Sequence, residues 1–166
     1  MAPEVFKTVV RHNQVKDGAD EPIPSWSFNS AILHGYCRHR VRQADYPGII
    51  EEEGKSVLGV YADGLTDKNL RSLDFFEGTE YMRIKVQVKL VQQHKDESGQ
   101  ERLVEVEERT ANVYVYLRPD NLERVEWDFE HFRKEKMKSW TRADLIFAGE
   151  LPPSFRCAHR LTSGRL

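Results

Sequence analysis

Thiols are scarce in this sequence: Cys37 and Cys157 are its two cysteines, far apart and without CxxC spacing. That excludes a disulfide framework and a zinc-ribbon signature, and it suits a reducing compartment, so a cytoplasmic location is expected. His34, Cys37 and His39 have no second ligand pair at metal spacing, so no metal is expected. Met1-Ala2-Pro3-Glu4 opens no apolar run of signal-peptide length, and no run approaches the roughly eighteen apolar residues of a spanning helix. Neither export nor contact with a membrane is expected. Charge of one sign is also missing. The 25 basic and 27 acidic residues leave a formal charge of -2, which provides no field for nucleic acid or an anionic lipid surface. GxGxxG, P-loop and GxSxG patterns are absent, which removes dinucleotide binding, nucleotide hydrolysis and the common serine hydrolase.

What is present fits one mixed α/β domain, of α+β type, in 166 residues. Pro3 suits a first helical turn, and Val5, Phe6, Val9 and Val10 recur on one helical face. Asp17 to Pro24 reads as a surface loop. Two short apolar runs, 31–36 and 56–61, read as strands around a loop holding Asp45-Tyr46-Pro47-Gly48. Thr66 is an N-cap, Leu65 and Leu70 form a hydrophobic staple, and Gly78 stops the helix between them. Ile84, Val86, Val88 and Leu90 then alternate with Arg83, Lys85, Gln87 and Lys89, the pattern of a strand wetted on one face. A polar turn at 94–100 returns the chain into a strand from about 103 to 117. Its apolar parity slips between Val106 and Val113, which a β-bulge near Arg109 would reconcile. Residues 123–140 predict a helix with Val125, Phe129, Phe132 and Trp140 in one sector. The domain is expected to span 1–147, with 148–166 as a poorly ordered tail.

Glu77 is the main candidate for chemistry. Leu70, Leu73 and Glu77 stand at i, i+3 and i+7, so the carboxylate shares the apolar face of its helix. Burial among Leu73, Phe75 and Phe76 would disfavour its charged form and raise its pKa, which suits a group that takes and returns a proton near neutrality. The alternatives are an outward-turned side chain or an ion pair with Arg83. Arg38, His39, Arg40 and Arg42 could steer an anion or form a solvated face. Tyr114 and Tyr116 share a strand face, as ordinary barrel packing would require.

Gly35-Tyr36, Tyr46-Pro47-Gly48, Val57-Leu58-Gly59, Gly64-Leu65, Leu73-Asp74-Phe75-Phe76-Glu77-Gly78, Tyr81, Arg83 and Ala111-Asn112-Val113-Tyr114-Val115 occur in that order. Together they resemble the gamma-glutamylcyclotransferase-like family, which includes the avirulence-induced plant proteins. The resemblance covers about residues 30 to 117 and implies a small β-barrel with flanking helices and a C-terminal helix. It also implies a cofactor-free reaction on a small γ-glutamyl amine or amide, cyclised to 5-oxoproline with Glu77 as acid and base. Tyr46, Pro47, Gly48, Tyr81 and Tyr114 would line the pocket. Family members open with a strand and a Tyr-Gly-Thr/Ser-Leu loop, whereas this chain opens on the helix that normally follows, one strand late. A homodimer could cover the edge left by that strand. The rival expectation is a degenerate family member that binds a small molecule or a protein without turnover. A third reading makes the 123–140 helix and the tail with Arg156, His159, Arg160 and Arg165 a docking element.

Overall fold

Two long antiparallel hairpins dominate the computed structural model, which describes residues 5–10 and 26–136. The first joins β1 (Ser27–Val41) to β2 (Pro47–Asp63), the second β3 (Tyr81–Lys95) to β4 (Glu101–Tyr116). A short β5 (Leu122–Glu126) completes a five-stranded sheet of order β2-β1-β3-β4, with β5 paired to β1. The backbones of the two hairpins pair where Ala31 faces Leu90 and Ile32 faces Lys89. β1 and β4 are not neighbours in the sheet, yet His34 Nε2 lies 2.6 Å from Glu105 Oε1. The sheet is therefore strongly curled, and the mixed α/β class expected from the pattern is observed. No helix among the described residues is long and apolar enough to cross a membrane.

Residues 5–10 are helical (α1) and bury Val5, Val9 and Val10, as their spacing predicts. The helix α2 (Asp67–Glu77) starts at Thr66, whose hydroxyl accepts from Asn69 N at 3.3 Å while Asn69 Oδ1 accepts from Thr66 N at 3.0 Å. This reciprocal capping box satisfies two of the amide donors that a helix start leaves open. Gly78, at φ 67, ends the helix and donates its N–H to Asp74 O. That conformation favours a residue without Cβ.

Apolar packing divides into two clusters. Val5, Val9, Val10, Val41, Ala44, Tyr46, Leu73, Tyr116, Leu122 and Phe132 pack beneath the helices. Ala31, Leu33, Tyr36, Val57 and Val88 form a second cluster, joined by Ile84, Val86 and Leu90, the inner face expected of β3.

Three expectations need correction. The β4 bulge exists but lies earlier than Arg109: Leu90 pairs with Glu107 and Val91 with Glu105, so Val106 is the extra residue. Residues 123–140 do not form one helix. Leu122–Glu126 form β5, and α3 (Phe129–Glu135) begins only after Asp128, whose side chain accepts from His131 N at 2.9 Å. The open edge of β1 decides the matter, because Val41 pairs with Leu122, His39 with Glu126, and Trp127 N donates to Arg38 O. Backbone pairing of that kind overrides a helical pattern of side chains. Val125 is accordingly 63% exposed instead of facing the core. Phe75, third, is not part of the packing around Glu77: it is 78% exposed, on the opposite side of α2 from Leu73. Trp140, the loop at 17–24 and the tail at 148–166 lie outside the described residues.

Candidate functional site

The last turn of α2 carries two carboxylates three residues apart, and the fold separates their surroundings. Asp74 is taken up by structure: Arg83 Nε lies 2.9 Å from its Oδ1 and Arg83 Nη2 3.2 Å from its Oδ2, while Tyr114 Oη donates to Oδ1 at 2.7 Å. Arg83 is thereby removed as a partner for Glu77, against the ion pair that the sequence left open. Glu77 is half-buried on the same face as Leu70 and Leu73. Loss of solvent around it pushes its carboxyl up to about 7, because a charged carboxylate is poorly solvated where apolar groups replace water.

Tyrosines from three segments gather near the end of α2, and two of them, Tyr81 and Tyr114, feel this carboxylate. Tyr81, at the start of β3, donates its hydroxyl to Pro47 O at 2.9 Å. Burial raises its pKa, and the negative charge of Glu77 raises it further. The Tyr114 phenol on β4 is raised by burial, by its bond to Asp74 and, more weakly, by Glu77. Tyr46, before β2, is buried and donates to Glu80 Oε2 at 3.1 Å. Burial and the Glu80 carboxylate hold its phenol neutral. Arg118 Nη1 closes the set 3.1 Å from Glu80 Oε1.

Tyr46, Pro47, Tyr81 and Tyr114 are thus gathered with Glu77 at one end of the sheet. Gly48 follows Tyr46 and Pro47 in sequence and is closely packed. A Cβ there would lie 2.7 Å from Tyr116 Cγ and 2.8 Å from Leu122 Cδ2, so Gly48 is the gap that receives the Tyr116 ring. Asp74 and Glu80 are supporting groups that sequence reading missed. Their signal was spacing alone, one carboxylate three residues on either side of Glu77.

The basic run on β1 is not a free anion site. Arg38 is largely buried with its guanidinium 5.9 Å from the Trp127 ring, Arg40 Nε donates to Ala44 O, Arg42 Nε donates to Leu122 O, and His39 binds Glu52. These side chains brace the β1 end of the sheet. A Ser56–His34–Glu105 hydrogen-bond chain, at 2.8 and 2.6 Å, lies exposed on the sheet surface, where water competes for each of its bonds.

Residues 11–141, more than half of the chain, match the family described as Gamma-glutamyl cyclotransferase, AIG2-like. The chain belongs to this family. Among AIG2-like proteins it is 33% identical over 119 residues to Protein AIG2 A of Arabidopsis thaliana, covering 71% of this chain and 63% of that one. With AIG2-like protein D of the same plant it shares 32% identity over 123 residues, 74% of each chain. The match to Protein AIG2 C covers 56% of that relative, so the chain spans less than two thirds of the length of AIG2 A and AIG2 C. A solution structure of another Arabidopsis thaliana protein superposes with a TM-score of 0.52 at 24% identity, covering all of this chain and 87% of that one. That likeness concerns the fold. The AIG2-like family accounts for the curled sheet with flanking helices and for the order of motifs from Gly35 to Val115.

Proposed function

We propose that the protein is a gamma-glutamylcyclotransferase-type enzyme that cyclises a small γ-glutamyl amine or amide to 5-oxoproline, with Glu77 as general base and then general acid. The Glu77 carboxylate takes a proton from the substrate's α-amine. The freed nitrogen pair attacks the γ-carbonyl carbon and its oxygen becomes the oxyanion. Collapse of that intermediate breaks the bond to the leaving nitrogen, which receives the first proton back from Glu77, and the second proton that the former ammonium nitrogen sheds on becoming the lactam N–H passes to the released amine, which leaves as an ammonium. Atoms and charge balance with no redox partner. Nucleophile and electrophile belong to one molecule, so holding it folded supplies an effective molarity of about 10⁵ M or more, and the proton relay adds about 10² to 10⁴.

The observation that carries this reading is a carboxyl brought to about 7 by desolvation at the end of α2, with Arg83 held on Asp74. A base poised there is half ionised near neutrality, the condition under which both proton transfers are efficient. Tyr81 and Tyr114, whose phenols sense Glu77, would line the substrate pocket beside it.

Release of 5-oxoproline from a panel of γ-glutamyl amines and amides tests the proposal. The wild type should turn over at least one, with kcat/KM rising as pH rises through about 7. Glu77→Gln should lose about 10² to 10⁴ in rate and the acidic limb with it. Equal turnover by the variant would refute the role of Glu77. Saturable binding with no product would assign the chain to the binding-module reading instead.

A further inference from the structure

The register of the first hairpin breaks at one place, and a second group of reactive side chains collects there. His34 pairs with Ser56 and Tyr36 with Glu51, so residues 52–55 of β2 stand against Gly35 alone. Both Gly35 and Gly54 take a φ of 77, which lets this excursion turn back into the strand. Glu52 enters from the excursion. Cys37 and His39, two residues apart on β1, present their side chains on one face. The Cys37 sulfur, a His39 ring nitrogen and a Glu52 carboxylate oxygen lie within 4.8 Å of one another.

None of these groups is fully used by the protein. The Cys37 thiol is only 4% exposed, and its one hydrogen bond is a long 3.9 Å contact to the neighbouring Arg38 O. His39 Nε2 meets Glu52 Oε2 at 2.7 Å, while Nδ1 is buried without a partner. A buried ring nitrogen left unpaired is unusual and costs stability unless something else takes it up. A fourth group stands at hand, because Glu126 of β5 is the register partner of His39 from the other side of β1.

We propose that Cys37, His39 and Glu52 form a site for one divalent transition-metal ion of the zinc class, with water or Glu126 in the fourth position. The donor set selects the ion: thiolate and imidazole favour zinc or cobalt, while magnesium and calcium require oxygen ligands throughout. Bond lengths of about 2.0 to 2.3 Å place tetrahedral ligand atoms roughly 3.3 to 3.8 Å apart. With the His39–Glu52 pair at 2.7 Å and the ligand atoms within 4.8 Å of one another, the cluster takes up an ion by shifts of about 1 Å, which the unpaired excursion carrying Glu52 can absorb.

Binding exchanges the thiol proton for the metal, and that proton leaves to solvent. Burial, Glu52 and Glu126 keep the thiol protonated without an ion, with Lys55 opposing them. Sequence spacing hid the site, since the carboxylate arrives from a second strand. The bound ion would tie β2 and β1 together, and β5 as well where Glu126 takes part. It has no part in the Glu77 chemistry, so the two readings stand or fall separately.

Titration of the full chain with Co²⁺, followed by displacement with Zn²⁺ against a chromogenic chelator, tests the site. One Co²⁺ per chain is expected, with a thiolate-to-cobalt charge-transfer band that persists in Cys157→Ser and disappears in Cys37→Ser. Glu52→Gln, a change at a partly exposed side chain that the fold can tolerate, should weaken Zn²⁺ binding about tenfold or more. The proposal is overturned by the absence of one-to-one binding, by a band that depends on Cys157, or by Glu52→Gln binding with wild-type affinity.

Discussion

Asp74 and Glu77 differ by one helical turn and by everything around them. Which carboxylate Arg83 would choose was not legible in the sequence, because residue 83 follows both across a glycine turn. The direction in which β3 leaves that turn settles it in favour of Asp74. The partial burial of Glu77, by contrast, was legible, because helical spacing from Leu70 and Leu73 determines a direction within one element. Gly48 shows the limit of reading a motif. The family resemblance implies a pocket wall there, and its absent side chain also makes room for Tyr116. Gly48→Ala should therefore destabilise the protein by about 1 to 3 kcal/mol through overpacking, seen as a lower urea midpoint with an unchanged slope. A wild-type midpoint would mean that Tyr116 and Leu122 withdraw freely.

At the scale of elements, local signals did well where one segment decides its own state. Thr66 and Gly78 mark both ends of α2, and both caps are observed. Removing the Thr66 hydroxyl in Thr66→Ala leaves Asn69 N without its acceptor and should cost about 1 kcal/mol in chemical unfolding, while Thr66→Ser should restore most of it. Reading failed where the decision lay with a distant partner. Nothing within 122–126 announces a strand; the open edge of β1 recruits it. Likewise the parity slip in β4 revealed that an extra residue was needed, and only pairing with Leu90 and Val91 assigns it to Val106. The strands were also longer than the apolar runs that announced them, since 27–30 and 37–41 of β1 alternate polar groups that sequence patterns treat as loop.

For the whole molecule, a carboxyl kept near 7 is a proton-linked weakness. Unfolding returns Glu77 from about 7 to its ordinary value of 4.5. Between those values the native state holds a proton that the unfolded chain has released, so stability falls as pH rises through the window and then levels off. The side of Glu77 that still meets solvent screens part of the effect, leaving on the order of 2 kcal/mol. Urea midpoints at about pH 5 and about pH 8 should show this loss in the wild type, beyond what Glu77→Gln shows. The variant should be the more stable protein at the higher pH. An identical pH response in both proteins would mean that Glu77 titrates normally in the fold.

The two hairpins share a seam of just two register pairs, Ala31 with Leu90 and Ile32 with Lys89. Tyr46 and Pro47 ride on one side of that seam, Tyr81 and Tyr114 on the other. Beyond that seam the hairpins are held by side chains, His34 on Glu105 and Tyr46 on Glu80. The Tyr81–Pro47 hydrogen bond is a further clasp from one hairpin to the other, so the mutual angle of the two ladders at the Glu77 end rests on a single phenol and a main-chain carbonyl.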